Sequence, residues 1–343
     1  MKIEFYSPTI RRKEMDAVLT AMVEGKIGHG EQAKFLVQTV REKIRYDYCL
    51  ALRSPALALY LAIKSLGLES GRGVLVSALS PLYYVRVIED LGLKPLYCDV
   101  FSSTACLTRE TVEKALVNNS KEINPGCIVL HHALGFLSDG ASLAEMGLPL
   151  IEDWSRSYGS VVGETMVDSA GQLTIIGLEE RDMLTSGGGA LLYTVSRRVS
   201  GNHTFPQDLP PEYGLPDMNA ALALVQFREA AKNLSKRREI ANIYTQSALR
   251  TRHKLFIHQE EYNNYAFPLI LEKGMKDVKT YARRKEIAVE SAFENTLVGC
   301  GIIPPEQCPE AYSLSLRTAI FPLYPRLGMT DAGKVAKLIQ TLP

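Results

Sequence analysis

Three kinds of residue in this chain could carry chemistry. Glu152 and Asp153 close the apolar run PLI, and a carboxylate at such a place can act as acid or base, pair with an arginine or cap a turn. His131 and His132 follow the run CIVL; a histidine there could move a proton near a substrate, or it could be a core histidine with both ring nitrogens satisfied. The run Ser186-Gly187-Gly188-Gly189 invites a phosphate-loop reading, but it lacks the Lys-Ser/Thr ending and precedes a strand-like segment, so it reads as a turn. Six cysteines are scattered without a CxxC pair, which points to buried thiols with no metal or disulfide. One chemistry is missing from the centre of the chain. No lysine lies between Lys121 and Lys232, so that stretch has no side-chain amine to condense with an aldehyde.

The elements that must position these residues alternate in a regular way. After two amphipathic stretches at 11–24 and 31–46, split by GKIGHGE, short apolar runs and helical stretches follow one another: YCLAL, PALALYLAIKSLGL, GVLVSAL, LYYVRVIEDLGL, KPLYCDV. A helix around 108–116, the strand CIVLHHAL, a helix near 142–146 and the strand PLIEDW continue the rhythm of a parallel sheet covered on both faces. QLTIIGL and GALLYTV read as further strands, and a helix is expected from about Met218 to Ser235. Beyond it YAFPLIL, a helix DVKTYARRKEIAV, a strand SLSLRTAIF and a final helix DAGKVAKLIQTL predict a smaller α+β unit. The expected division is a large α/β domain at 1–235 and a small domain at 236–343. With 39 Lys+Arg against 38 Asp+Glu, bulk charge calls for neither nucleic acid nor an anionic membrane. No apolar run is long enough for a membrane span and the first residues show no signal-peptide pattern, so a cytoplasmic protein is expected.

Taken in order, the segments VLVSALSPLYYVRVIEDLGLKPLYCDV, HHALGFLSD, LPLIEDWSRSYGS, LTSGGGALLYT, DMNAALALVQF with KRREIANIY, and SLRTAIFPLYPRLGMTDAGKVAKLI, with the opening Pro8 and Glu14, resemble the DegT/DnrJ/StrS type of pyridoxal-phosphate (PLP) nucleotide-sugar aminotransferases. The resemblance covers nearly the whole chain. It implies an α/β fold of the fold type I class, with a mainly parallel seven-stranded sheet, PLP as cofactor and a dimer with active sites at its interface.

What the resemblance implies for the site is mostly loss. Asp153 matches the aspartate that holds the PLP ring nitrogen. Asp182 stands at the aldimine lysine, and a carboxylate forms no imine. Ser54, Pro55 and Ala56 match a Ser-Gly-Thr phosphate turn, with an N–H and a hydroxyl removed. Gly177 replaces a serine, Arg156 a glutamine, and Pro81 an aromatic that lies on the ring, although Tyr83 and Tyr84 are close by. Glu212 replaces an asparagine lent by the neighbouring subunit, and its charge opposes a phosphate. His132 matches a histidine frequent at that strand end. The expected pocket gathers Arg53, Arg156 and Arg181 near Asp153, Asp182 and Glu212, where the arginines either bind an anion such as a nucleotide-sugar diphosphate or neutralise the acids. The function expected is that of an aminotransferase homologue with a degenerate PLP site, forming a homodimer or a heteromer with an active paralogue. The alternatives are an active PLP enzyme or PLP-independent acid–base chemistry on a sugar.

Overall fold

A computed structural model describes residues 2–44, 46–119, 123–162, 165–166, 170–200, 203–258 and 262–343. Helices α1 (Arg12–Val23) and α2 (Glu31–Arg41) lead into strand β1 (Tyr48–Leu52). Then come α3 (Pro55–Lys64), β2 (Gly73–Ser77), α4 (Tyr83–Asp90), β3 (Lys94–Cys98), α5 (Arg109–Asn119), β4 (Pro125–His131), α6 (Gly140–Ala144) and β5 (Leu150–Asp153). Strands β6 (Leu173–Gly177) and β7 (Ala190–Thr194) complete a seven-stranded sheet in the order β1-β7-β6-β5-β4-β2-β3. Neighbours from β6 to β3 run parallel, and β7 alone is reversed between β6 and β1.

The reversal depends on glycine. Gly187, Gly188 and Gly189 all have positive φ, a region that costs a residue with a Cβ, and they let Gly188 N and Ser186 N both reach Leu178 O while Leu178 N donates to Gly189 O. The run read as a turn is therefore a turn. Both faces of the sheet are covered, which is why β2, β6 and β7 are buried along their whole length. On one face Val76, Val129, Ile151 and Ile175 pack against α3 and α4. On the other, Ile176, Leu191 and Trp154 pack against α2 and the long helix that follows.

That helix, α7 (Asp217–Ala248), is 32 residues long and passes without a break through position 235, where the domain division was expected. Its first half buries Ala220, Ala223 and Phe227 against the large sheet, and its second half buries Ile240, Ala241 and Tyr244 in a separate core. The second core includes the antiparallel sheet of β8 (Phe267–Ile270), β9 (Glu290–Ser291) and β10 (Thr318–Phe321), with α8 (Met275–Arg284) and α10 (Met329–Gln340).

Two sequence expectations are corrected here. The segment SLSLRTAIF is not one strand: its first part ends helix α9 (Pro309–Arg317) and only Thr318–Phe321 is extended. Ser and Leu alternate with a strand-like period, but Ala311 and Leu314 are the buried positions, at helical spacing. Pro309 suits a first helical turn, and the Asp99 carboxylate from beyond β3 accepts Glu310 N at 3.0 Å and Ala311 N at 2.8 Å. The helix expected over DVKTYARRKEIAV also stops early, at Arg284. Glu286 takes a positive φ of 55° and its carbonyl accepts Ile3 N, so the chain turns out to pair with the N-terminus.

Candidate functional site: a buried acidic centre beside an arginine-lined cavity

Asp153 ends β5 at the C-terminal edge of the large sheet, where a parallel sheet gathers ligand sites. It is 1% exposed, and its own chain surrounds the carboxylate. Tyr84, from α4, donates its hydroxyl to Oδ2 at 2.5 Å. Ser155 gives Oδ1 both its backbone N–H, at 2.9 Å, and its hydroxyl. His131 pairs in register with Asp153 across β4 and β5, so both side chains leave the same face of the sheet, and Nδ1 lies 3.5 Å from Oδ2. Burial opposes charge on Asp153, but the contacts from His131, Ser155 and Tyr84 outweigh it and hold the carboxyl well below its usual pKa. Burial also lowers the pKa of His131, against the pull of Asp153, and its Nε2 has no hydrogen-bond partner among the described residues.

Asp182 is the second acid. Its Oδ2 accepts Glu179 N at 2.9 Å, and the carboxyl lies directly over Gly177. A Cβ at Gly177 would overlap both Asp182 Oδ2 and Ser155 Oγ, and Gly177 N donates to that same serine oxygen at 2.7 Å. Burial and the neighbouring Asp153 charge push the Asp182 pKa up to about 8, against the opposing pull of Glu179 N–H and Arg156. Asp153 is therefore an anion at neutral pH while Asp182 keeps most of its proton. Tyr83 and Tyr84 cross edge to face at 5.0 Å beside them, with pKa values raised by burial and then by Asp153.

His132 is elsewhere. It shares the opposite face of the sheet with Glu152, to which Nε2 lies at 3.5 Å, while Nδ1 accepts Ser138 N at 3.2 Å. Glu152 Oε2 also accepts the indole N–H of Trp154 at 2.5 Å, and Oε1 accepts Gly171 N at 2.8 Å. His132 thus belongs to a closed core network, and His131 is the histidine brought to Asp153.

The remaining expected residues separate. Ser54 caps α3 by accepting Leu57 N at 3.2 Å, and Pro55 at the first helical position has no N–H, so two donors of that helix end are spent or absent. Pro81 forms an isolated bridge with Thr296. Glu212 lies on an exposed turn, Pro211–Tyr213, that is held by Arg53 N donating to Tyr213 O; among the described residues neither Glu212 nor Arg53 forms an ion pair. Arg181 turns outward to Glu290, at 2.9 Å. Of the three arginines expected near the acids, Arg156 is the one in electrostatic contact with both Asp153 and Asp182.

Beside the acidic centre lies a cavity of about 120 Å³ whose wall includes Arg156, Arg181, Arg237, Tyr6, Tyr265 and Glu290. Ser155, Tyr265 and Arg237 were not singled out by sequence reasoning, and Tyr84 and His131 were named only alongside Pro81 and His132. For His131 a signal existed in the equal spacing of HH and ED at two adjacent strand ends. Tyr265 and Arg237 lie far along the chain and carried none. Among the described residues no group of His, Cys, Asp and Glu side chains could hold a metal ion, and no helix is long and apolar enough to cross a membrane.

The profile of the DegT/DnrJ/EryC1/StrS aminotransferase family matches residues 8–340. The chain belongs to this family. As a family member it is 25% identical over 273 residues to the dTDP-4-dehydro-2,3,6-trideoxy-D-glucose 4-aminotransferase of Saccharopolyspora spinosa, a match that covers 71% of this chain and 70% of that protein. It is 24% identical over 260 residues to the GDP-perosamine synthase of Escherichia coli O157:H7, again covering 71% of this chain and 70% of that one. The aminotransferase TlmJ from Streptoalloteichus hindustanus superposes with a TM-score of 0.85 at 19% identity, over 99% of this chain and 98% of that one. This DegT/DnrJ/EryC1/StrS member therefore has the fold type I architecture its sequence led us to expect.

Proposed function

We propose that this family member keeps the scaffold of a nucleotide-sugar aminotransferase while its cofactor centre is closed by its own side chains, so that it does not act as a conventional PLP transaminase. The observation that carries the reading is the bond from Tyr84 to Asp153. By family resemblance that carboxylate would accept the N–H of the PLP pyridinium, yet Tyr84 and His131 already crowd Oδ2 and Ser155 takes Oδ1. Three further features support it. Asp182 stands where the lysine would, no lysine exists from 122 to 231, and the α3 turn has lost donors a phosphate would need. The residues present do not fit PLP.

In this reading nucleotide sugars remain the candidate ligands by family, and the assembly is a homodimer or a heteromer in which this chain completes the site of an active paralogue. A second reading has one observation in its favour: Asp153 and Asp182 are neighbouring carboxyls with pKa values pushed apart, a pattern suited to acid–base work on a sugar without PLP. Incubation with PLP, borohydride reduction and peptide mass analysis test the main proposal. No pyridoxyl-lysine and no absorbance band of bound cofactor are expected, and a stoichiometric adduct on one lysine would overturn it. Turnover of a nucleotide sugar by PLP-free protein, lost in Asp182→Asn, would favour the second reading.

A further inference from the structure

The cavity is lined by three guanidinium groups, two of which meet no carboxylate at ion-pair distance among the described residues. Arg237, from the middle of α7, is 6% exposed and spends Nη1 on three backbone carbonyls, Tyr265 O and Leu323 O at 2.9 Å and Asn264 O at 3.3 Å. It faces no carboxylate at ion-pair distance among the described residues, and burial lowers its pKa to about 10. Arg156 stacks over the Tyr265 ring at 5.5 Å and also forms no ion pair there. Arg181 is paired with Glu290, but both are at least a third exposed, so this is a screened pair at the rim. Tyr265 stands within electrostatic reach of all three guanidinium groups. Three guanidinium groups thus surround a space whose wall offers one carboxylate, that of Glu290, with Glu180 within electrostatic reach of Arg181. Of the two acids behind Arg156, only Asp153 is charged at neutral pH.

We propose that this cavity is a binding site for one small oxyanion, a phosphate or carboxylate group, held between Arg156 and Arg237 with Arg181 at its mouth. Two arguments beyond charge support this assignment. Guanidinium forks match the oxygens of carboxylate and phosphate two at a time, and a planar fork stacked on an aromatic ring is held ready for the ligand. Size sets the class: about 120 Å³ is close to the roughly 150 Å³ of a cavity that takes benzene, enough for an acetate or a phosphate and far too small for an intact nucleotide sugar. A larger ligand could place only its anionic group here. The proposal goes beyond the closed cofactor centre: it shares Arg156 with that region but rests on neither the Tyr84–Asp153 bond nor Asp182.

Calorimetric titration with sodium phosphate and, separately, sodium acetate, each against sodium chloride at matched ionic strength, tests it. Saturable binding of at least one anion is expected, weakened at least tenfold in Arg156→Met. Arg156→Lys should recover charge but not the two-point grip, and so fall between. Phosphate binding alone or acetate binding alone identifies the source of the oxyanion. Absence of saturable heat with either, or equal affinity in wild type and Arg156→Met with unchanged near-UV circular dichroism, overturns the proposal. If Arg156→Met fails to fold, Arg181→Met at the exposed rim replaces it, with a threefold or larger loss expected and none overturning the assignment. A pyridoxyl adduct in the PLP experiment would sink the proposed function and leave this site standing.

Discussion

At the scale of single residues, the site depends on two carboxyls with opposite fates. The Asp182 pKa is raised to about 8, whereas an unfolded aspartate titrates near 3.9. Between those values the native state holds a proton that the unfolded chain releases, so this group makes stability fall as pH rises, by at most about 1.4 kcal/mol per pH unit, and the trend flattens above pH 8. Asp182→Asn, which mimics the protonated acid, should remove that slope and raise the denaturation midpoint more at pH 8 than at pH 5; parallel pH profiles for variant and wild type would refute it. Asp153 has the opposite sign. Its pKa is depressed, so its contribution is present above the unfolded value and lost as pH falls through the acid range. Tyr84→Phe removes a buried hydrogen bond to that anion and should cost about 2 kcal/mol in urea denaturation, with little effect if Ser155 and His131 suffice. The sequence made Asp153 and Asp182 legible because their neighbours match a known pattern. It did not disclose Tyr84 as the donor, since two adjacent tyrosines on a helix give no sign of which one faces inward.

At the scale of elements, alternation and caps account for what could be read. The strands of the large sheet were visible as short apolar runs because a parallel sheet covered on both faces needs them. Helix α9 was misread because Ser-Leu-Ser-Leu has the period of a strand, and the feature that decides otherwise, the Asp99 cap, comes from about 210 residues away. Asp99→Ala should therefore cost about 1–2 kcal/mol, measured by chemical denaturation, although Asp99 lies outside the helix it caps. Ser54→Ala at the start of α3 should cost about 1 kcal/mol by the same mechanism, and a change below a few tenths would mean that Leu57 N finds another acceptor.

For the whole molecule, α7 is the common member of two cores, with Phe227 in one and Tyr244 in the other. A helix that cannot leave one core without disturbing the other predicts a single unfolding transition. Emission from Trp154, the only tryptophan and buried in the large-domain core, should change together with far-UV circular dichroism; separated midpoints would show that the small domain melts alone. The expected break at 235 was not legible as a continuous helix because the helical spacing of apolar residues changes partner there, from one core to the next. The overlap that any side chain at Gly177 would make with Asp182 and Ser155 matters for the molecule's history as well as its packing. A serine placed at 177 meets the carboxyl at 182 and the Ser155 hydroxyl, and a lysine placed at 182 still finds Tyr84 bound to Asp153. If the proposed closure of the cofactor centre holds, no single substitution reopens it, so the change behaves as a ratchet, and building transamination into this chain in the laboratory would require replacing 84, 177 and 182 together with the turn at 54–56.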